Sequence, residues 1–324
     1  MTAYIIRRLL YSIPVLFLII LVTFMLARAL PGGPFDRVGD KTLPESIRKN
    51  LEAKYGLDES LPQQFVDYLG GVLTGDLGPS YSYKGRSVST ILKESFPISL
   101  QLGLLSILLA VVIGIPAGVF SALKQNTWVD YSSSFVAILG VSIPNMVLGP
   151  LLIFIFAVQL GWLPAARWGV NYKELYFGIF PPMTADFWSH AILPVITLGT
   201  AFSALFARLT RASLLQTIRE DYIRTARSKG LSERRVILSH AMKNSMIPVV
   251  TVFGPLLVGV VTGSFVVEQI FGIAGMGKFF ITSVTNRDYP IVLGTILFYS
   301  VGLVLANIFV DIAYAWLDPR IRYD

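Results

Sequence analysis

The sequence predicts an all-α integral membrane protein with six transmembrane helices and a small external helical segment between the first two. Three observations carry this prediction. Of 324 residues, 54% are hydrophobic and only 15% charged, against roughly 25% charged in an ordinary soluble domain. Six apolar runs are long enough to cross a hydrocarbon core, which takes about 20 helical residues. The basic residues gather in alternate connections between those runs, the pattern that short cytoplasmic loops follow.

The spans cover residues 9–30 (LLYSIPVLFLIILVTFMLARAL), 99–122, 133–160, 191–212, 246–267 and 291–315. The first reads as a retained span, because its apolar stretch is long for a signal peptide and PGGPFDR after it lacks a small-x-small cleavage site. With the N-terminus inside, the cytoplasmic pieces hold fourteen Lys or Arg, nine of them between Arg208 and Lys243, and the two short external loops hold four. Both termini are therefore expected in the cytoplasm. The chain divides into an N-terminus with its first span (1–30), an external segment (31–98), a five-helix core (99–315) containing a cytoplasmic loop (213–245), and a tail (316–324).

Composition also excludes function classes. There is no cysteine, and the two histidines, His190 and His240, lie fifty positions apart, so thiol chemistry and a Cys- or His-based metal centre are not expected. The net charge of +7 sits between apolar runs without basic-aromatic interleaving, which points to membrane orientation and away from nucleic acid. No H-E-x-x-H or G-x-S-x-G motif occurs, which disfavours a membrane-embedded enzyme. A secondary, ion-coupled transporter is the alternative reading. It needs ionisable pairs at mid-membrane, whereas Arg28, Glu268 and Asp311 all fall near span ends, where snorkelling or interface contact is the ordinary explanation.

In the external segment, Thr42 and Glu45 have capping-box spacing, Gly56 stands where a helix can end, and LPQQFVDYLGGVL repeats apolar residues at helical intervals. Two or three short helices and a GDLGPSYSYKG loop are expected, serving either as a docking surface for an external protein or as a cap on the span mouths. Within the spans, Gly114 and Gly118 around Pro116, together with Gly259 and Gly263, suit close helix packing. In SIPNMVLGP, Pro144 breaks the backbone ladder, and Ser142, Pro144 and Asn145 are candidates for lining a passage.

GIAGMGKF, residues 272–279, comes within one residue of a phosphate-binding loop. Gly272, Gly277 and Lys278 fit, but Phe279 stands where a Mg²⁺-binding Ser or Thr belongs. No soluble strand precedes it, and the charge pattern places it outside the cell. A Gly-rich turn before a helix starting near Met276 is expected.

The loop RASLLQTIREDYIRTARSKGLSERRVILSHAMKNSMIPVV, residues 211–250, reads as helix, tight turn, helix. Tyr222 and Ala226 share a helical face, Glu220 can pair with Arg224, Gly230 terminates the first helix, and Ser232 with Glu233 starts the second.

At RTARSKG followed by LSERRVILSHAMKNSMIP the chain resembles the coupling loop of ATP-binding-cassette importer permeases, in their oligopeptide/dipeptide branch. The family pattern is Glu-Ala-Ala, three residues, Gly, nine residues, Ile-x-Leu-Pro. Here Arg224, Thr225 and Ala226 take the first three positions, Gly230 is the Gly, and HAMK, His240 to Lys243, replaces the last motif. The departures at Arg224 and Lys243 match the peptide branch, as do YGLDESLPQQFVDYLGGVLTGDLGPS, VVEQIFGIAGMGKFFITSVTNRDYP and DPRIRY. The resemblance implies a type I importer permease fold in a bacterial or archaeal cytoplasmic membrane. It implies as partners a second homologous permease, two cytoplasmic ATPase subunits that handle ATP and Mg²⁺, and an external substrate-binding protein. It implies that this chain itself binds no cofactor. Peptides are the implied cargo, with nickel chelates and oligosaccharides also carried within the family. Asp221, Tyr222, Arg224, Thr225, Ala226, Arg227, Lys229 and Gly230 then form the ATPase-coupling element, with an apolar face around Tyr222 in the ATPase groove and Arg224 and Arg227 at its rim.

Overall fold

The computed structural model describes residues 2–29, 33–35, 37–38, 41–42, 44–261 and 264–317. Helix α1 spans Thr2–Ala29. A two-residue pairing, β1 (Arg37–Val38) with β2 (Lys41–Thr42), precedes α2 (Glu45–Lys54) and α3 (Leu61–Thr74). Then come α4 (Val88–Leu123), α5 (Trp128–Ser142), α6 (Asn145–Gln159) and α7 (Ala185–Thr217). The loop supplies α8 (Asp221–Ser228) and α9 (Glu233–Ser245), and α10 (Ile247–Val261), α11 (Phe265–Ile270), α12 (Met276–Asn286) and α13 (Tyr289–Leu317) complete the described chain. Gly263 and the tail residues 318–324 lie outside the described residues.

Among the described residues four helices are each long and apolar enough to span a membrane, and six spans result if each of two bent pairs counts as one. Prolines account for the bends. Between α5 and α6 the axis turns by 101°. Ile143 is held extended (ψ 112°) before Pro144, which is itself extended (ψ 144°), because a residue ahead of proline avoids the helical region. The Pro144 carbonyl then opens α6 by accepting from Val147 and Leu148 N–H at 2.8 and 2.9 Å. Between α9 and α10 the turn is 49°. There Pro248 has no N–H for the carbonyl four residues back. In α4 the chain stays continuous through a widened turn at Ala110–Gly114, which accommodates the ring of Pro116.

Helix α7 is the centre of the bundle, packing on α4, α5 and α6. Its contact with α4 uses two of the glycines read as packing positions, Gly114 and Gly118, whereas Gly259 has no neighbour within 4 Å of where its Cβ would stand and so is not a packing position. A Cβ at Gly118 would stand 2.5 Å from the Ala207 carbonyl oxygen, and one at Gly114 would collide with the Ser203 carbonyl. On α7, a Cβ at Gly199 would reach 3.0 Å from the Ser106 oxygen. Backbones this close gain dispersion contact that larger side chains would prevent. Leu102, Phe187, Leu193 and Phe271 fill the adjoining core. Leu10, Leu18 and Leu26 of α1 and Phe135 and Val136 of α5 are exposed, as residues facing acyl chains must be.

We call the side of the bundle that carries α8 the loop face and the opposite side the far face. The described residues between 33 and 87 lie on the far face, and α3 and the 80–82 turn pack there as a cap. Phe65 of α3 sits edge-on to Phe24 of α1 at 5.3 Å, and the carboxylate of Asp288, between α12 and α13, accepts from Ser80 Oγ at 2.5 Å and Ser82 N–H at 2.9 Å. Gly56 follows Tyr55 with φ +65°, as expected of a helix terminator. The expected capping box is not formed: Thr42 belongs to β2 and Pro44 takes the N-cap position. Asp311 pairs with Arg8, so α13 ends on the face where α1 begins. Arg28 packs over the Phe24 and Tyr289 rings.

Candidate coupling site

Helix α8 forms because its ends are supplied locally. Glu220 is extended (ψ 148°) and its carbonyl accepts from Ile223 and Arg224 N–H at 3.1 and 3.3 Å. Asp221 puts negative charge on the first turn, where the helix dipole favours it. Gly230 ends the element with φ +75°, donating its N–H to the Arg227 carbonyl at 2.9 Å. Ser232 starts α9 through its backbone carbonyl, which accepts from Arg235 and Val236, while its side chain makes no capping bond.

The face that α8 buries differs from the one expected. Ile223 and Ala226 are buried against Ala122 of α4, Leu214 of α7 and Val236 and Ile237 of α9. Ala226 therefore faces its own chain and is closed to a partner. Tyr222 lies on the flank, 39% exposed, and its hydroxyl accepts from Asn244 Nδ2 at 2.9 Å. The expected Glu220–Arg224 pair is replaced by Arg224 with Asp221 at 3.4 Å. Arg227, expected at a groove rim, straps the turn instead: its Nε and Nη2 donate to Glu233 Oε2 and Oε1 at 3.1 and 2.7 Å. Asp221, Arg224, Thr225, Ser228 and Lys229 are left exposed on the outward side.

No Cβ at Gly230 would meet another atom within 4 Å, so its requirement is conformational. A left-handed backbone costs an L-residue roughly 1–2 kcal/mol, and asparagine tolerates it best. Gly230→Ala is expected to speed amide hydrogen exchange in 221–228 about fivefold or more, and Gly230→Asn less. Unchanged exchange in Gly230→Ala would show that the turn does not hold α8.

An ion pair between buried Asp130 and half-buried Arg211, which sequence reasoning missed, stands at the base of the loop. Asp130, at the start of α5, accepts from Arg211 Nε at 2.6 Å, Arg211 Nη2 at 2.7 Å, Ser121 Oγ at 2.5 Å and Asn126 N–H at 3.0 Å. One carboxylate thus joins the ends of α4, α5 and α7 beneath α8. Asp130 sits in the first turn of apolar α5 and Arg211 within the last two turns of α7, costly positions for a charge unless it is paired.

Ser142, Pro144 and Asn145 come together at the α5–α6 bend, Ser142 and Pro144 exposed and Asn145 half-buried. Gly140, just before them, approaches Thr200 of α7.

The phosphate-loop-like stretch is a turn leading into α12, which starts at Met276 as expected. Its cradle is filled by the chain's own carboxylate. Glu268 Oε1 accepts from Ser99 Oγ at 2.8 Å, Oε2 accepts from Lys278 N–H at 3.2 Å, and Ser99 Oγ accepts from Met276 N–H at 2.8 Å. A Cβ at Gly275 would overlap that carboxylate and lie 2.5 Å from Ser99 Oγ. Glu268 is fully buried, not at an interface as its position near a span end suggested.

Residues 114–323 match the protein family described as the binding-protein-dependent transport system inner membrane component, and residues 1–103 match the family of the N-terminal part of such components. The chain belongs to this permease family. It is 42% identical over 322 residues to the dipeptide transport system permease protein DppB of Bacillus subtilis, covering 99% of this chain and 98% of that protein. To the oligopeptide transport system permease protein OppB of Escherichia coli K12 it is 43% identical over 323 residues, all of both chains. These likenesses place it in the oligopeptide/dipeptide branch of ABC importer permeases. A chain of the inward-facing MetNI methionine ABC transporter superposes with a TM-score of 0.51 at 18% identity, over 69% of this permease and 94% of that chain. That likeness is one of fold, the type I importer permease fold.

Proposed function

We propose that this permease forms the translocation pathway of an ATP-driven importer for di- or oligopeptides, together with a second homologous permease. Two ATPase subunits in the cytoplasm bind ATP and Mg²⁺ and perform the hydrolysis, this chain is not itself an enzyme, and an external binding protein delivers the cargo. The membrane is the cytoplasmic one of a bacterium or archaeon, with both termini and the loop face inside. What supports the reading above all is the end-to-end likeness to two peptide-transport permeases.

In this reading the outward side of α8, with Asp221, Tyr222, Arg224, Thr225 and Lys229, enters a groove on an ATPase subunit. Ile223 and Ala226 pass its displacement to α4, α7 and α9, and Arg227 with Gly230 keeps the element rigid enough to transmit it. Asp130 and Arg211 carry the movement into α4 and α5, and the bend at Ser142, Pro144 and Asn145 lines the passage that opens to alternate sides.

The test is uptake of a labelled tripeptide by vesicles holding the assembled complex. Uptake is expected to need ATP inside and the binding protein outside, and to survive collapse of all ion gradients. Uptake that follows a proton or sodium gradient without ATP would establish the ion-coupled alternative.

A further inference from the structure

On the far face, a cavity of about 860 Å³ lies between two walls. Ser95 and Ile98 of α4 form one wall, and Gly272, Ala274 and Phe279 of the Gly-rich turn and α12 form part of the other. Ser99 and Glu268, in direct hydrogen-bond contact at 2.8 Å, tie the two walls together one residue below the lining position of Ile98. We propose that Glu268 is a proton-responsive latch that sets the width of this cavity.

The geometry supports a latch because one side chain engages three elements. Glu268 belongs to α11, Ser99 to α4, and the N–H groups that meet Oε2 to the first turn of α12. Gly275 and Gly277 admit the carboxylate only because they lack a side chain, since a Cβ on either would lie 3.0 Å or less from it. The charged neighbours do not neutralise it. Lys278 meets it through its backbone N–H, Arg167 meets the adjacent Phe271 carbonyl through its own backbone N–H at 2.8 Å, and α6 presents Gly149 to Ile270. None of the other ionisable groups lining the cavity, Arg86, Glu94, Lys173, Glu174, Asp186 and His190, makes an ion pair or hydrogen bond with Glu268 among the described residues.

Burial pushes the Glu268 carboxyl up to about 7, against the opposing pull of the Ser99 hydroxyl and the Lys278 and Gly277 N–H groups. When the walls part and water reaches the group, its affinity for protons falls back toward the ordinary carboxylate range near 4.3. The closed state therefore binds the proton more tightly. By linkage, acid favours the closed cavity, and opening rises as pH climbs from about 4.5 to about 7 and levels off above that. Between pH 5.5 and 8 the opening equilibrium should rise roughly tenfold or more.

The experiment uses the absence of native cysteine. Spin labels on cysteines replacing Glu94 of α4 and Ala274 of the Gly-rich turn, which line the cavity from its two walls, report its width by pulsed electron spin resonance on the full chain in lipid nanodiscs. The expected result is a longer-distance population that grows from pH 5.5 to about 7 and then holds steady. In Glu268→Gln, which stays neutral, the distribution should match the acid form at every pH. In Ser99→Ala, which removes a bond favouring the ionised form, the levelling-off point should move upward. A wild-type distribution that does not change with pH, or pH dependence that persists in Glu268→Gln, would overturn the proposal. If Glu268→Gln does not insert, Ser99→Ala decides: a levelling-off point that is unmoved or lowered overturns it. Neither cargo nor ATPase takes part, so failure here leaves the importer reading standing.

Discussion

Arg224→Glu combined with Thr225→Glu is expected to abolish ATP-driven uptake while the permease still inserts and folds. Both side chains are exposed on the outward side of α8, away from the buried Ile223 and Ala226. The helix therefore keeps its anchor, and the new carboxylates near Asp221 cost it only a few tenths of a kcal/mol. A groove shaped to receive Arg224 and Lys229 would meet like charge instead, and such juxtapositions cost several kcal/mol. Association with the ATPase subunits should weaken at least tenfold, read by co-purification over a range of salt. Arg227 is a poorer choice for this test, because its pairing with Glu233 makes it part of the turn. Undiminished association in the double variant would remove the outward side of α8 from the docking surface.

Asp130→Ala is expected to be the most destabilising single change on the loop face. The carboxylate is 2% exposed and satisfies the Arg211 guanidinium, the Ser121 hydroxyl and the Asn126 N–H. Its loss leaves the Arg211 guanidinium, 31% exposed, without a counter-charge and the buried Ser121 hydroxyl without its acceptor, a change that costs on the order of 2 kcal/mol. Asn126 adds to the cost, because its left-handed backbone (φ +60°) loses a hydrogen bond that holds it. Asp130→Asn keeps one acceptor and should fall between. Arg211→Lys keeps the charge but cannot reproduce the two-pronged contact. Thermal unfolding of the purified chain should order the variants as wild type, Asp130→Asn, Asp130→Ala. Equal stability of Asp130→Ala and wild type would mean that the pair does not hold α4, α5 and α7 together.

Much of the fold was legible because membrane helices advertise themselves. The apolar runs, the ladder break at Pro144, the glycines of the α4–α7 contact and the helix–Gly230–helix loop all follow from local rules. What escaped was set by distance along the chain. Asp130 and Arg211 are 81 positions apart, and Ser99 and Glu268 are 169 apart, so no spacing rule joins them. Arg227 meets Glu233 across six residues, a separation that is off-register on a helix and works only because Gly230 folds the chain back. The buried face of α8 was misread for a related reason. Eight residues hold little more than two turns, and the face their own chain covers is decided by α4, α7 and α9. GIAGMGKF shows how far local chemistry can be trusted: glycines that spare room for an anion do so here, and the anion is Glu268.

In the assembled importer, α8 on the loop face, and not the Gly-rich turn on the far face, is expected to meet the nucleotide-hydrolysing subunits. Photo-activatable benzoylphenylalanine at position 228, and separately at position 274, tests it in the assembled complex in native membranes. Both positions are exposed in this chain. The expected result is an adduct with an ATPase subunit from position 228 and none from position 274. An ATPase adduct from position 274, with none from position 228, would contradict both the orientation of the permease and the assignment of its coupling element.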